Sequence, residues 1–132
     1  MEKEIKKIVI PDENFRLAFE KVITEKTVVK NRKMFKLILD LLIQEKGFVS
    51  LDILIKEIYR QMYGDDFNLD SIWRDSEKQF VKKILKQMDK YVRNLKCRIQ
   101  FIRGRKNVPT IVYIERLSGY LKFYDDYISR RE

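Results

Sequence analysis

Apolar positions change their spacing twice along the chain. Between residues 5 and 30 they come in short β-branched and aromatic runs, at 5–10, 15–23 and 27–30, with Pro11-Asp12-Glu13-Asn14 supplying a turn after the first. This pattern predicts two or three short strands, although the run from Phe15 fits a helix as well. Beyond Asn31 the spacing becomes three and four. Phe35, Ile38, Leu39 and Leu42 share one side and Lys33, Lys36, Asp40 and Gln44 the other, which predicts a helix over 32–46 with Asn31 as N-cap and Gly47 closing it. Ser50 caps a second helix over 51–62, with Leu51, Leu54, Ile55, Ile58, Tyr59 and Met62 on its apolar side and Asp52 at its positive start. An acidic loop over 63–75 holds the only tryptophan, Trp73.

Ser76-Glu77-Lys78-Gln79 then reads as a capping box that opens a third helix over 76–95. Its apolar stripe is Phe80, Ile84, Met88, Tyr91 and Leu95, widened by Val81, Leu85 and Val92. Residues 98–102 and 110–114 are strand formers on either side of Arg103-Gly104-Arg105-Lys106-Asn107-Val108-Pro109, a hairpin with a basic tip. Ser118-Gly119 offers a further turn, and 120–124 reads as a last strand before a polar tail. The expected class is α+β. A chain of 132 residues can bury one sufficient core, and no repeat or linker interrupts it. A single domain is therefore expected over 1–132: strands in 1–30, a three-helix core in 31–96, a hairpin sheet in 97–124 and a tail in 125–132.

Charge adds what periodicity does not. The chain has a formal net charge of +9, and its distribution is lopsided. Residues 1–75 carry 14 Lys and Arg against 14 Asp and Glu, and residues 107–132 carry 4 of each. The whole excess belongs to 76–106, where Lys78, Lys82, Lys83, Lys86, Lys90, Arg93, Lys96, Arg98, Arg103, Arg105 and Lys106 face only Glu77 and Asp89. A field concentrated in this way attracts phosphate backbones and gains affinity from counterion release. With the amides Gln79, Gln87 and Asn94, the polar side of the third helix presents long donors suited to phosphates and base edges.

What is missing narrows the chemistry further. Without histidine there is no Ser-His or Cys-His nucleophile pair and no common zinc site. The four glycines, Gly47, Gly64, Gly104 and Gly119, are too far apart to cradle a phosphate. Catalysis, a cofactor and a metal are not expected; Asp65, Asp66 and Asp70 match no calcium loop and read as a solvated acidic loop. No apolar run is long enough for a bilayer, and no export signal is visible. The lone Cys97 fits a reducing compartment such as the cytoplasm.

Short strands, three helices and a hairpin follow the order of a winged helix-turn-helix domain with an amino-terminal sheet. The stretch Phe35-Lys36-Leu37-Ile38-Leu39-Asp40-Leu41-Leu42, followed by Gly47-Phe48-Val49-Ser50-Leu51-Asp52-Ile53-Leu54, resembles the first helix, glycine, valine-serine turn and second helix of the DNA-binding effector domains of OmpR/PhoB-type response regulators. About 20 residues carry the likeness; the remainder agrees in the order of elements. The resemblance implies double-stranded DNA as partner, with 82–94 reading bases and phosphates, a wing arginine at Arg103 or Arg105 in the minor groove, and the loop 63–75 touching RNA polymerase. Lysines replace the family's arginine-rich recognition motif, and the wing signature is matched by Ile102-Arg103-Gly104 or by Leu117-Ser118-Gly119-Tyr120-Leu121, with Arg116 as the second choice. No receiver domain precedes the helices in this sequence, so a regulator of this kind would take its input differently.

The expected DNA-binding residues are Lys78, Lys82, Lys83, Lys86, Gln87, Lys90, Arg93, Asn94, Arg98, Arg103, Arg105 and Lys106. The expected function is sequence-specific transcriptional regulation, with a homodimer left open. A winged-helix protein-interaction module, and RNA or nonspecific nucleic-acid binding in replication or packaging, are the competing readings.

Overall fold

The computed structural model describes residues 8–25, 31–64, 75–106 and 108–117. They form an α+β arrangement of four helices and a small antiparallel sheet: β1 (Ile8–Val9), α1 (Glu13–Glu25), α2 (Arg32–Gln44), β2 (Val49–Ser50), α3 (Leu51–Tyr63), α4 (Asp75–Val92), a 3-10 turn (Arg93–Leu95), β3 (Cys97–Ile102) and β4 (Ile111–Arg116). Among the described residues no helix is long and apolar enough to cross a membrane.

The N-terminal reading needs correction. Among the described residues before Asn31 only Ile8 and Val9 form a strand, and 13–25 is a helix, so the described residues hold four helices where three are expected. Phe15, Ala18, Phe19 and Ile23 are buried at helical spacing. Asp12 of the supposed turn is the reason: its Oδ1 accepts from the Phe15 amide at 2.9 Å and its carbonyl from the Arg16 amide at 3.0 Å. An aspartate three residues before the first buried position satisfies the free donors of a helix start, and this outweighs the strand preference of Val22, Ile23 and Thr24. The strand expected at 27–30, that at 120–124 and the tail lie outside the described residues.

The other helices keep their expected places. Ser50 caps α3 by accepting from the Ile53 amide at 3.1 Å. Gly47, at φ +106, sends its amide back to the Leu42 carbonyl at 2.7 Å and so closes the end of α2 in a conformation that suits glycine. The caps of α2 and α4 differ from expectation. Asn31 adopts the left-handed conformation and makes no side-chain cap, and Ser76 lies inside the first turn of α4, donating to Glu77 at 3.4 Å.

β4 is the centre of the sheet. Along one edge it pairs with β3 over its full length, from Cys97 opposite Arg116 to Ile102 opposite Ile111; along the other it pairs with β1 at Ile114 and Glu115 and with β2 at Ile111 and Val112. One apolar cluster joins every helix to the inner face of the sheet, including Phe19, Phe35, Leu42, Ile55, Met88, Cys97, Ile99 and Ile114. Phe35 of α2 meets Phe19 of α1 edge-on at 6.4 Å and Tyr91 of α4 at 5.8 Å, so one ring joins three helices. At 25 cal/mol per Å² of apolar surface, burying one such side chain contributes roughly 2 kcal/mol.

Candidate nucleic-acid interface

The buried stripe of α4, Val81, Ile84, Leu85, Met88 and Val92, occupies one side of the helix and leaves the opposite arc to solvent. Lys78, Lys82, Lys86 and Lys90 recur every four residues, which places their Cα atoms about 6 Å apart in a row along that arc. Lys82, Lys83, Lys86, Lys90, Arg93 and Asn94 are exposed; Lys78 and Gln87 are half-buried.

The hairpin stands beside this row. Its loop folds back so that a Cβ on Gly104 would collide with the Val108 carbonyl oxygen, leaving no space for a side chain, and the Val108 amide closes a turn on the Arg105 carbonyl at 2.9 Å. Thr110 anchors the loop on both sides. Its hydroxyl accepts from the Gly104 amide at 3.2 Å, and its carbonyl accepts from the Leu51 amide at 2.8 Å, one of the donors that the start of α3 leaves without a helical partner. The tip is thereby tied to the first turn of α3 as well as lying against α4.

Two clefts result. One, of about 440 Å³, lies among Leu51, Asp52, Lys78, Lys82, Gly104 and Arg105. The other, of about 430 Å³, lies among Lys82, Leu85, Lys86, Ile99, Phe101 and Arg103, with Asp89 in its wall. Lys82 and Thr110 line both, so the clefts adjoin. Five of the expected residues, Lys78, Lys82, Lys86, Arg103 and Arg105, are thus brought together from segments far apart in sequence. Lys83, Lys90 and Lys106 are exposed outside the clefts.

The remaining expected residues are engaged within the fold. Gln87 accepts from the Asn31 side chain at 2.7 Å, across to the start of α2. Arg93 donates to Asp89 at 2.8 Å, Arg98 to Glu115 at 2.9 Å, and the Asn94 amide to the Lys90 carbonyl at 3.2 Å. Arg116 stands opposite Cys97 at the base of the hairpin, at the far end from the tip. The alternative turn at 118–121, and positions 65–74 of the acidic loop with Trp73, lie outside the described residues.

Sequence reasoning passes over Asp89, Thr110, Phe101 and Glu115. Asp89 matters most. Its Oδ1 accepts from the Ile99 amide at 2.6 Å while its Oδ2 holds Arg93, so one carboxylate fastens β3 to the last turn of α4. The available signal is a single carboxylate four residues before an arginine within a lysine-rich helix. Glu115 takes Arg98 and also accepts from the Tyr113 hydroxyl at 3.4 Å; burial, then Glu115, pushes the Tyr113 phenol up against a smaller lowering by Arg98.

Neither family models, curated proteins nor solved structures yield a match to this chain.

Proposed function

We propose that the chain is a winged helix-turn-helix protein that binds double-stranded DNA and acts as a sequence-specific regulator in a reducing compartment. The order α2, β2, α3, α4, β3, β4, with β2 paired to β4, supports a winged reading in which α4 is the recognition helix and the hairpin is the wing. The observation that carries the proposal is the convergence of Lys78, Lys82 and Lys86 with Arg103 and Arg105 on two adjoining clefts. Among the described residues none of these five cations forms an ion pair, whereas Arg93 and Arg98 do. Unpaired cations on one face can displace the counterions condensed on a phosphate backbone; paired ones have little to offer.

The test is a titration of labelled duplex with the full chain between about 50 and 200 mM salt, followed by selection from a randomised duplex pool. Affinity should fall steeply with salt and the selection should converge on a motif. A flat salt response sinks the nucleic-acid reading, and a steep response without enrichment sinks the regulator. A protein-interaction module is the second reading, favoured by Ile102 and Val108, which stand exposed beside the tip.

A further inference from the structure

The two clefts differ in kind. The one beside α3 has the charged side chains Asp52, Lys78, Lys82 and Arg105 in its lining. The other has an apolar floor. Cys97, Ile99 and Phe101 alternate along the inner face of β3, and their exposure rises from 0% through 7% to 40% as the strand runs out past the core. Leu85 of α4 completes that floor and is itself buried. Phe101 therefore ends the row part exposed, at the edge of an apolar floor whose charged rim is Lys82, Lys86 and Arg103, with Asp89 as the one carboxylate. Those three cations form no ion pair among the described residues.

An open aromatic ring flanked by free cations suits a ligand with a flat, sparingly soluble face and negative charge at its edges. A nucleobase between two phosphates has that form: the ring stacks on it and the cations take the backbone, an arrangement that tolerates any base. The volume of about 430 Å³ falls within the span of small-ligand sites. Paired bases already stack on one another and cannot enter. The occupant must be an unpaired base.

Resting on the nucleic-acid reading above, we propose that the cleft formed by Leu85, Ile99 and Phe101 with Lys82, Lys86 and Arg103 seats an unpaired nucleobase of the bound strand, so that the protein prefers a duplex bearing a single-stranded extension. The adjoining cleft, which shares Lys82 and Thr110, would hold the duplex backbone next to it.

The experiment compares, by fluorescence anisotropy, a short blunt duplex with the same duplex carrying an oligo-dT extension. Wild type should bind the extended duplex roughly fivefold to a hundredfold more tightly, the range that stacking of one base supplies. Phe101→Leu should erase that difference, so that the variant binds the two duplexes with equal affinity. Phe101→Trp should restore it, with indole emission quenched on adding the extended duplex but not the blunt one. Equal wild-type affinity for both duplexes, or a Phe101→Leu loss of the same size on each, overturns the proposal while leaving duplex binding in place. Failure to bind either duplex overturns the nucleic-acid reading itself.

Discussion

At the base of the β3–β4 hairpin Arg98 lies opposite Glu115 and donates to it, whereas at the tip Arg103 and Arg105 form no ion pair among the described residues. The same contrast runs along α4. Near its C-terminal end Arg93 is held by Asp89, and one to three turns earlier Lys78, Lys82 and Lys86 line clefts with no such partner. One segment holds the entire excess charge of the chain, yet only part of it is available to a ligand. The fold uses Arg98 to join strand to strand and sets Arg93 on the carboxylate that holds the hairpin to the helix, and leaves the cations at the tip and mid-helix without an ion pair among the described residues. A count of charges along the sequence measures both together.

The widest separation between the two ends should come from nucleic-acid binding. Replacing Lys82, Lys86, Arg103 and Arg105 together by alanine should lower duplex affinity by about a thousandfold at low salt and reduce the salt slope by about 3.6, close to 0.9 for each phosphate that the variant no longer neutralises. Replacing Arg93 and Arg98 together should leave that slope almost unchanged. Matching slopes for the two variants would erase the distinction between base and tip.

Next in size is Asp89→Ala, which strips the acceptor from the Ile99 amide and the partner from Arg93. A part-buried amide left unsatisfied costs about 1–3 kcal/mol, read as a lower midpoint in urea. Asp89→Asn, which keeps an oxygen in place, should lose less than half as much. Equal losses would mean that the negative charge, rather than the hydrogen bond to the strand, fastens the hairpin.

A smaller change is expected from Glu115→Gln. Arg98 is partly exposed, so the pair should contribute within about 1 kcal/mol. Freeing Arg98 should steepen the salt slope by no more than one phosphate equivalent, because its side chain lies on the outer face of the sheet, opposite the row formed by Ile99 and Phe101.

The least effect at neutral pH concerns the dry interior under the hairpin base. Burial pushes the Cys97 thiol up to about 12, against a smaller lowering by Arg116, so it stays protonated where an ordinary thiol near 9.0 ionises. Because the folded value is raised, the stability attached to the neutral thiol is fully present below about pH 9 and is lost as pH climbs toward 12. Between those limits Cys97→Ala should lose less stability with rising pH than wild type does. Parallel slopes would show that the thiol is not what makes the base sensitive to alkali.

Much of this architecture is legible before any coordinates. Phe35, Ile38, Leu39 and Leu42, then Leu51, Leu54, Ile55 and Ile58, keep a spacing that only a helix buries, and Arg103 to Pro109 interrupts two runs of strand formers as a hairpin loop does. The first helix is ambiguous in sequence because Val22, Ile23 and Thr24 favour strands while Asp12 fits a turn or a cap, and local preference does not decide between them. The interface is legible as a composition but not as a set. Lys82 and Arg103 share a cleft only because Thr110 and Asp89 fasten the hairpin in place, and those bonds join residues between 6 and 59 positions apart. Spacing alone puts Gln87 with the basic face, and its partner Asn31, which reads as a helix cap, gives no hint of the bond between them.

The position of β4 has a consequence for how the chain is made. Its partners come from residues 8–9, 49–50 and 97–102, so among the described residues three strands made earlier find their hydrogen-bonded neighbour in the sheet only when residues 111–116 arrive. Helices α1 to α4 can form from local contacts as they leave the ribosome, but the sheet must wait for all four helices and β3 to be synthesised before β4. A nascent chain halted anywhere before residue 111 would carry a formed or forming helical half with its strands unpaired, and arrest at successive lengths should show protease resistance rising in one step once β4 has cleared the exit tunnel.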